Sequence, residues 1–143
     1  MPSDAAIRKA RRLAPRLEAW FAGHARDLPW RRTRAPYAIW VSEIMLQQTQ
    51  VATVIPFWQR WMRALPSLRH LARTQPERVL KLWEGLGYYS RARNLQAAAK
   101  QIMAEHGGRF PTDPKSIRAL PGIGRYTAGA ISSIALGQAE PIV

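Results

Sequence analysis

Apolar positions in this chain recur at three- and four-residue steps almost from end to end, the period of helices that each bury one face. Ile7, Ala10, Leu13, Leu17, Trp20 and Phe21 predict an amphipathic N-terminal helix. Asp27 to Pro36 breaks the pattern, with Pro29 and Pro36 as stops, and reads as a connector. The helical period resumes from Ile39 through Leu46 and again from Val51 to Leu65, with Pro56 in the first turns of that second helix or bending it. Thr74-Gln75-Pro76-Glu77 has the form of a capping box with proline in the first turn. It predicts a helix through Trp83, which Gly85 and Gly87 end. Ser90 is the expected cap of the next helix, whose inner face is Leu95, Ala99, Ile102 and Met103 and which Gly107-Gly108 stop. Asp113-Pro114 opens a short helix to Leu120, and Tyr126 through Leu136 forms the last, closed by Gly137. There is no period-two strand pattern. The expectation is an all-α fold: many short helices in one bundle, without repeats or low-complexity linkers.

The length, 143 residues, suffices for one domain with a real core, or one domain plus part of another. With 47% apolar residues the chain belongs to the globular class. No apolar run approaches the roughly 18–20 residues that span a bilayer. Arg8, Lys9, Arg11 and Arg12 are not followed by an apolar segment, so no secretory signal is read, and cytoplasmic residence is expected. The absence of cysteine excludes disulfides, thiolate catalysis and thiolate-bound zinc or iron–sulfur centres on these residues. His24, His70 and His106 lie too far apart in sequence for a ligand pattern, and no metal is expected.

Charge changes the picture most. Twenty-two Lys and Arg against nine acids give +13, a balance that attracts polyanions, above all the phosphate backbone of nucleic acid. A merely basic, soluble surface is the plain alternative. An anionic membrane is a weaker rival, because no basic stretch carries a matching insertion face.

Between the last two predicted helices lies Leu120-Pro121-Gly122-Ile123-Gly124, followed by Arg125-Tyr126-Thr127-Ala128-Gly129. A turn this tight needs glycine where other residues are forbidden the backbone angles, or where DNA must come close. The helix after it begins with unpaired N–H groups at its positive end, a ready phosphate site. Ile123 can plug between the helices, and Ala128, Gly129 and Ala130 let them approach. A bare Pro-Gly turn would signify only an αα-hairpin. The longer string, in a chain of this charge, predicts a helix–hairpin–helix over residues 116–136 that grips duplex DNA.

With two further strings, Trp40-Val41-Ser42-Glu43-Ile44-Met45-Leu46-Gln47-Gln48-Thr49-Gln50 and Gly85-Leu86-Gly87-Tyr88-Tyr89-Ser90-Arg91-Ala92-Arg93-Asn94, the hairpin resembles that of the adenine DNA glycosylases. These form the mismatch-specific branch of the helix–hairpin–helix glycosylases, which also include endonuclease III. The likeness runs from about Leu28 to the last residue. It implies a six-helix barrel over residues 28–137. It also implies an N-terminal helix and connector (1–27) from an iron–sulfur subdomain, and a start at 138–143 of the connection onward. The chain is thus expected to be an N-terminal fragment. It stops one residue short of the aspartate that in the family stabilises the cationic sugar, and lacks the four-cysteine [4Fe-4S] loop and the domain that reads 8-oxoguanine. Little excision by these residues alone is therefore expected.

Removing a purine needs a proton donor for the leaving base and stabilisation of an oxocarbenium-like sugar. Glu43 lies among Trp40, Val41, Ile44 and Met45, a setting that can raise a carboxyl pKa, although a helical Glu is ordinarily a solvated one. The resemblance assigns Glu43 the protonation of adenine at N7. It places Arg26, Leu28, Trp30, Arg31 and Val51 around the flipped base, where flat rings and guanidinium groups stack well. Gln47, Gln48 and Thr49 offer amide and hydroxyl groups for base edges. By resemblance Gln48 and Thr49 face the base opposite, while Tyr88 with Leu86 wedges into the stack. A polar helix end and a core aromatic are the ordinary alternatives for these two groups. Gly122, Ile123, Gly124, Arg125 and Thr127 are the expected hairpin contacts. The endonuclease III branch carries a Schiff-base lysine where this chain has Tyr126, which cannot form an imine, so a monofunctional glycosylase is expected. The implied partner is duplex DNA with A:8-oxoguanine or A:G mispairs, bound by a nucleoid-associated monomer. A non-catalytic DNA-binding fragment is the rival reading, and a lyase is a third.

Overall fold

The helical period is realised in full. A computed structural model describes residues 3–24 and 27–137, and these contain eight α-helices, a 3₁₀ turn and no strand. The helices are α1 (Asp4–His24), α2 (Pro36–Leu46), α3 (Val51–Ala64), α4 (Leu68–Arg73), α5 (Pro76–Trp83), α6 (Ser90–Glu105), α7 (Pro114–Arg118) and α8 (Arg125–Ile134); the 3₁₀ turn is Pro29–Arg32.

The bundle is organised around α2. Its sequence is apolar on every side except for one charged residue, Glu43, and a helix of that kind is stable only inside the fold. Tyr37, Ala38, Ile39, Trp40, Val41, Ser42, Ile44 and Met45 are all buried, and α2 packs against α3, α6, α8 and the 3₁₀ turn. Trp61 and Trp83 are fully buried and meet edge to face at 5.8 Å, joining α3 to α5. Trp61 Nε1 donates to Tyr37 Oη (3.1 Å), which donates to the Leu65 carbonyl (2.6 Å), so the polar atoms beneath these rings are paired. Pro56 lies inside α3 at its sixth residue, where it removes one i→i−4 hydrogen bond from the helix.

The six helices expected after the N-terminal one are present, and a seventh joins them. Pro66 ends the preceding run, and the Ser67 side chain accepts from the His70 N–H (3.3 Å), opening α4, a helix too short to show a period. Two expected caps are corrected by this. Thr74 terminates α4, so Gln75 is left as N-cap of α5 without a side-chain bond and the capping box does not form. Tyr89 precedes α6, and Ser90 is its first helical residue. Asp113 caps α7 as expected, accepting from the Ser116 N–H at 2.9 Å.

Residues 4–17 of α1 are exposed, so the apolar positions of that stretch, including Ile7, Leu13 and Leu17, are uncovered. Among the described residues no helix is long and apolar enough to cross a membrane.

Candidate base pocket and nucleic-acid interface

Glu43 stands at the edge of a cavity of about 460 Å³. Leu28, Trp30 and Arg31 reach it from the 3₁₀ turn and its start, Val51 from the first residue of α3, and Ile134 from the end of α8. The fold therefore gathers four of the five residues expected around a flipped base onto one wall system with the expected acid. Arg26, the fifth, lies outside the described residues. The Trp30 ring is held edge to face by Trp58 at 5.9 Å, and Trp58 Nε1 donates to the Ala38 carbonyl (3.0 Å), which fixes the pair to α2. Burial away from water holds the Glu43 carboxyl above its ordinary range, because the charged form is the one that desolvation penalises. A carboxyl so placed keeps its proton to higher pH than a surface one and can donate it.

Sequence reasoning missed Ile39, Ser42, Leu46 and Ile134, which also line the cavity. Ile39, Glu43 and Leu46 follow one another at four- and three-residue steps, so the α2 face was readable from its period once Glu43 was chosen. Ile134 comes to the site only through the packing of α8 on α2. The cavity lining does not include Tyr126, which is 62% exposed on the first turn of α8.

Two loops flank α2 and α6. In the first, Gln47 is half-buried and donates through Nε2 to Thr127 Oγ1 (3.3 Å), Gln48 is exposed, and Thr49 donates to the Gln47 carbonyl (3.4 Å). In the second, Tyr88 is 67% exposed, whereas Leu86 is 7% exposed and packs in the core. Of the expected wedge pair, only Tyr88 presents its side chain to solvent. Gln48 (φ 57°) and Tyr88 (φ 47°) are the two non-glycine residues among those described that adopt a left-handed backbone.

In the hairpin, Gly122 has φ 76°, and a Cβ there would lie 2.8 Å from Asn94 Cβ, so both conformation and space require glycine. Ile123, one of the expected hairpin contacts, is 6% exposed and packs in the core cluster, so its side chain is turned away from solvent. Gly124 is extended and faces open space, leaving the start of α8 accessible from outside. Lys115 and Arg118 on α7 and Arg125 at the first position of α8 are exposed basic residues of the hairpin. Thr127 is 3% exposed and bonded to Gln47, so its side chain ties the hairpin to the first loop rather than reaching outward. The iron–sulfur cluster that the resemblance implies does not fit these residues. The chain has no cysteine, and the described residues contain no group of three or more His, Asp or Glu able to hold a metal.

A family model described as HhH-GPD superfamily base excision DNA repair protein matches residues 41–141. The chain is 52% identical over 136 residues to adenine DNA glycosylase of Homo sapiens, an alignment covering 89% of this chain and 25% of the human protein. It is 43% identical over 125 residues to adenine DNA glycosylase of Buchnera aphidicola subsp. Acyrthosiphon pisum (strain APS), covering 87% of this chain and 36% of that one. It thus spans about a quarter to a third of the length of these curated relatives. Among solved structures, a thermostable thymine-DNA glycosylase superposes with a TM-score of 0.90 at 29% identity, over 98% of this chain and 65% of that one. A trapped endonuclease III–DNA covalent intermediate shares the fold, with a TM-score of 0.77 at 22% identity over 96% of this chain and 62% of its own. The family model spans well over half the chain, which therefore belongs to the HhH-GPD superfamily of base excision DNA repair proteins.

Proposed function

We propose that this chain forms the base-removing part of an adenine DNA glycosylase that excises adenine opposite 8-oxoguanine or guanine in duplex DNA. The observation that carries the reading is the placement of Glu43, desolvated, on a cavity shared with Leu28, Trp30, Arg31 and Val51. In the reaction the C1′–N9 bond breaks, its electron pair leaves with the base, and water adds to C1′, giving up the proton that restores the Glu43 carboxyl. The Glu43 proton goes to N7 of the departing adenine, which turns a poor leaving group into a neutral one. Trp30 and Arg31 supply flat surfaces against which an extruded purine stacks. The hairpin and its basic rim hold the phosphates, and Tyr88 enters the stack when the base leaves it. Tyr126 provides no amine, so the product is an abasic site and not a cleaved strand. The exposure of Ile7, Leu13 and Leu17 on α1 supports assigning residues 1–27 to a subdomain separate from the 28–137 bundle.

The test is single-turnover release of adenine from an A:8-oxoguanine duplex by the product of the native gene, beside its Glu43→Gln variant. Loss of excision by at least about 10²-fold, the usual worth of a general acid, with duplex affinity unchanged, is expected. Equal excision by the variant would remove Glu43 from the chemistry. Tight duplex binding by the unaltered protein without excision would instead establish a non-catalytic DNA-binding module.

A further inference from the structure

Gln48 and Tyr88 are exposed and both hold a left-handed backbone, which is unfavourable for a non-glycine residue and persists only where the surroundings impose it. The two loops are forty residues apart in sequence, yet one side chain reaches both. Arg91, in the first turn of α6, donates from Nη1 to the carbonyls of Ile44 (2.9 Å), Met45 (3.3 Å) and Gln47, at the end of α2 and the start of the first loop. From Nη2 it donates to the carbonyls of Leu86 (3.3 Å) and Gly87 (3.3 Å), in the second loop. Its guanidinium carbon also lies 5.2 Å from the Trp83 ring and 5.7 Å from the Tyr88 ring, so the cation supports the exposed tyrosine from below.

Every polar contact of this group is to main chain. The last carbonyls of α2 lack their i+4 donors, although that of Ile44 also accepts from the Gln47 N–H (3.3 Å), and a guanidinium there complements the negative end of the helix. The planar fork is what allows one residue to address two strands of backbone at once. One turn further along α6, Asn94 forms the surface on which Gly122 of the hairpin rests. The start of α6 is therefore where all three outward-facing segments meet.

We infer that Arg91 is a positioning residue for base extrusion: it locks the Gln48 and Tyr88 loops into one pre-formed unit that enters the duplex together. This rests on the base-extruding function proposed above. Arg91 touches no substrate in this scheme; it acts through the backbone of the residues that do. Without it the two left-handed segments relax independently, and the ordering cost falls on the moment of DNA engagement.

The experiment uses Arg91→Lys, which keeps the charge but loses the fork, and Arg91→Met as an apolar partner. Hydrogen exchange is read by segment. Duplex engagement is read from fluorescence of 2-aminopurine placed opposite 8-oxoguanine, and non-specific binding from affinity for an undamaged duplex. Exchange at residues 47–49 and 86–88 should rise together by roughly tenfold, as expected for loss of charge-assisted bonds, while α3 stays within about twofold. The fluorescence gain should fall at least about threefold with undamaged-duplex affinity within about twofold. Unchanged exchange in both loops of Arg91→Lys overturns the inference. So does a rise in α3 equal to that in the loops, which would mark a purely structural role. Loosened loops with a full fluorescence gain would separate the clamp from extrusion and overturn it as well. If the unaltered protein binds mispaired DNA with no gain, the base-extruding function itself fails, which the exchange data alone could not produce.

Discussion

Gly122 and Gly124 are two residues apart in the hairpin, yet the structure gives them opposite reasons to be glycine. An alanine at 122 would hold φ near 76° at a cost of about 1–2 kcal/mol. Its Cβ would also sit 2.8 Å from Asn94 Cβ and 3.1 Å from Asn94 Nδ2. Asn94 Cβ is fixed to the backbone of α6, so relief requires the hairpin to move away from that helix, a strain of about 1–3 kcal/mol. The loss of chain entropy in the unfolded state returns only roughly 0.4–1 kcal/mol. The net expectation for Gly122→Ala is a loss of about 2–4 kcal/mol, a large share of the roughly 5–15 kcal/mol that domains possess.

Gly124 has φ −86° and ψ near 180°, and a Cβ there meets nothing within 4 Å. The entropic gain of Gly124→Ala is offset by alanine's poorer performance as an N-cap, so stability should change by less than about 0.5 kcal/mol. What the added methyl obstructs is the approach of a phosphate to the amides at the start of α8. Urea unfolding followed through the buried tryptophans distinguishes the two. With a slope of about 2 kcal/mol per molar, Gly122→Ala should unfold about 1–2 M earlier and Gly124→Ala within about 0.3 M of the unaltered chain. Duplex affinity at fixed salt should fall for Gly124→Ala even though its midpoint does not. Similar midpoints for all three proteins would refute the steric argument, and equal losses at both positions would refute the division of labour.

Glu43 should leave a pH signature on stability. Its folded-state pKa is raised by burial, so both states are protonated well below the ordinary value near 4.5 and no difference exists there. As pH rises through that value and then the raised one, the unfolded chain ionises first and stability falls to a lower plateau. Glu43→Gln should therefore raise the urea midpoint at pH 7 and have no such effect at pH 3; a gain that is the same at both would contradict the burial argument. Gln96 donates to the carbonyls of Leu71 (3.1 Å) and Thr74 (2.8 Å), pinning the end of α4 to α6. Gln96→Ala leaves both carbonyls without that donor and should cost about 1–3 kcal/mol in urea unfolding, with faster exchange confined to α4 and α6. Leu71 is fully buried on α4, and Leu71→Ala should cost about 2–5 kcal/mol by the same measurement.

The residues that were legible in the sequence and those that were not differ by a physical criterion. Long helices announce themselves because each commits an apolar stripe over several turns, which is why α3, α6 and α8 follow from periodicity alone, whereas α2 shows as a continuous apolar run. α4 spans six residues, less than two turns, and its existence is written in Pro66, in the Ser67 cap and in a glutamine on another helix. The Thr74 capping box had the right residue types, but only Thr74 and Gln75 separate α4 from α5, and Thr74 is taken by the earlier helix.

The same criterion divides the candidate site. Glu43 was singled out as the one charge in an apolar run, and its neighbours around the cavity came from resemblance, since no spacing rule links residues 28–31 with 43 and 51. Leu86 and Thr127 were expected to reach DNA, but exposure depends on which face of a loop or helix its neighbours cover, and both are turned inward. Arg91 is the sharpest case. Its acceptors are five main-chain carbonyls belonging to residues whose side chains are irrelevant to the contact, so no pairing of residue types points to it. In a chain with twenty-two basic residues it is indistinguishable by type from those that face phosphate. Position in the fold makes the difference: half-buried at the junction of two strained loops, it spends its charge on holding the protein's own backbone in the shape that the exposed Gln48 and Tyr88 require.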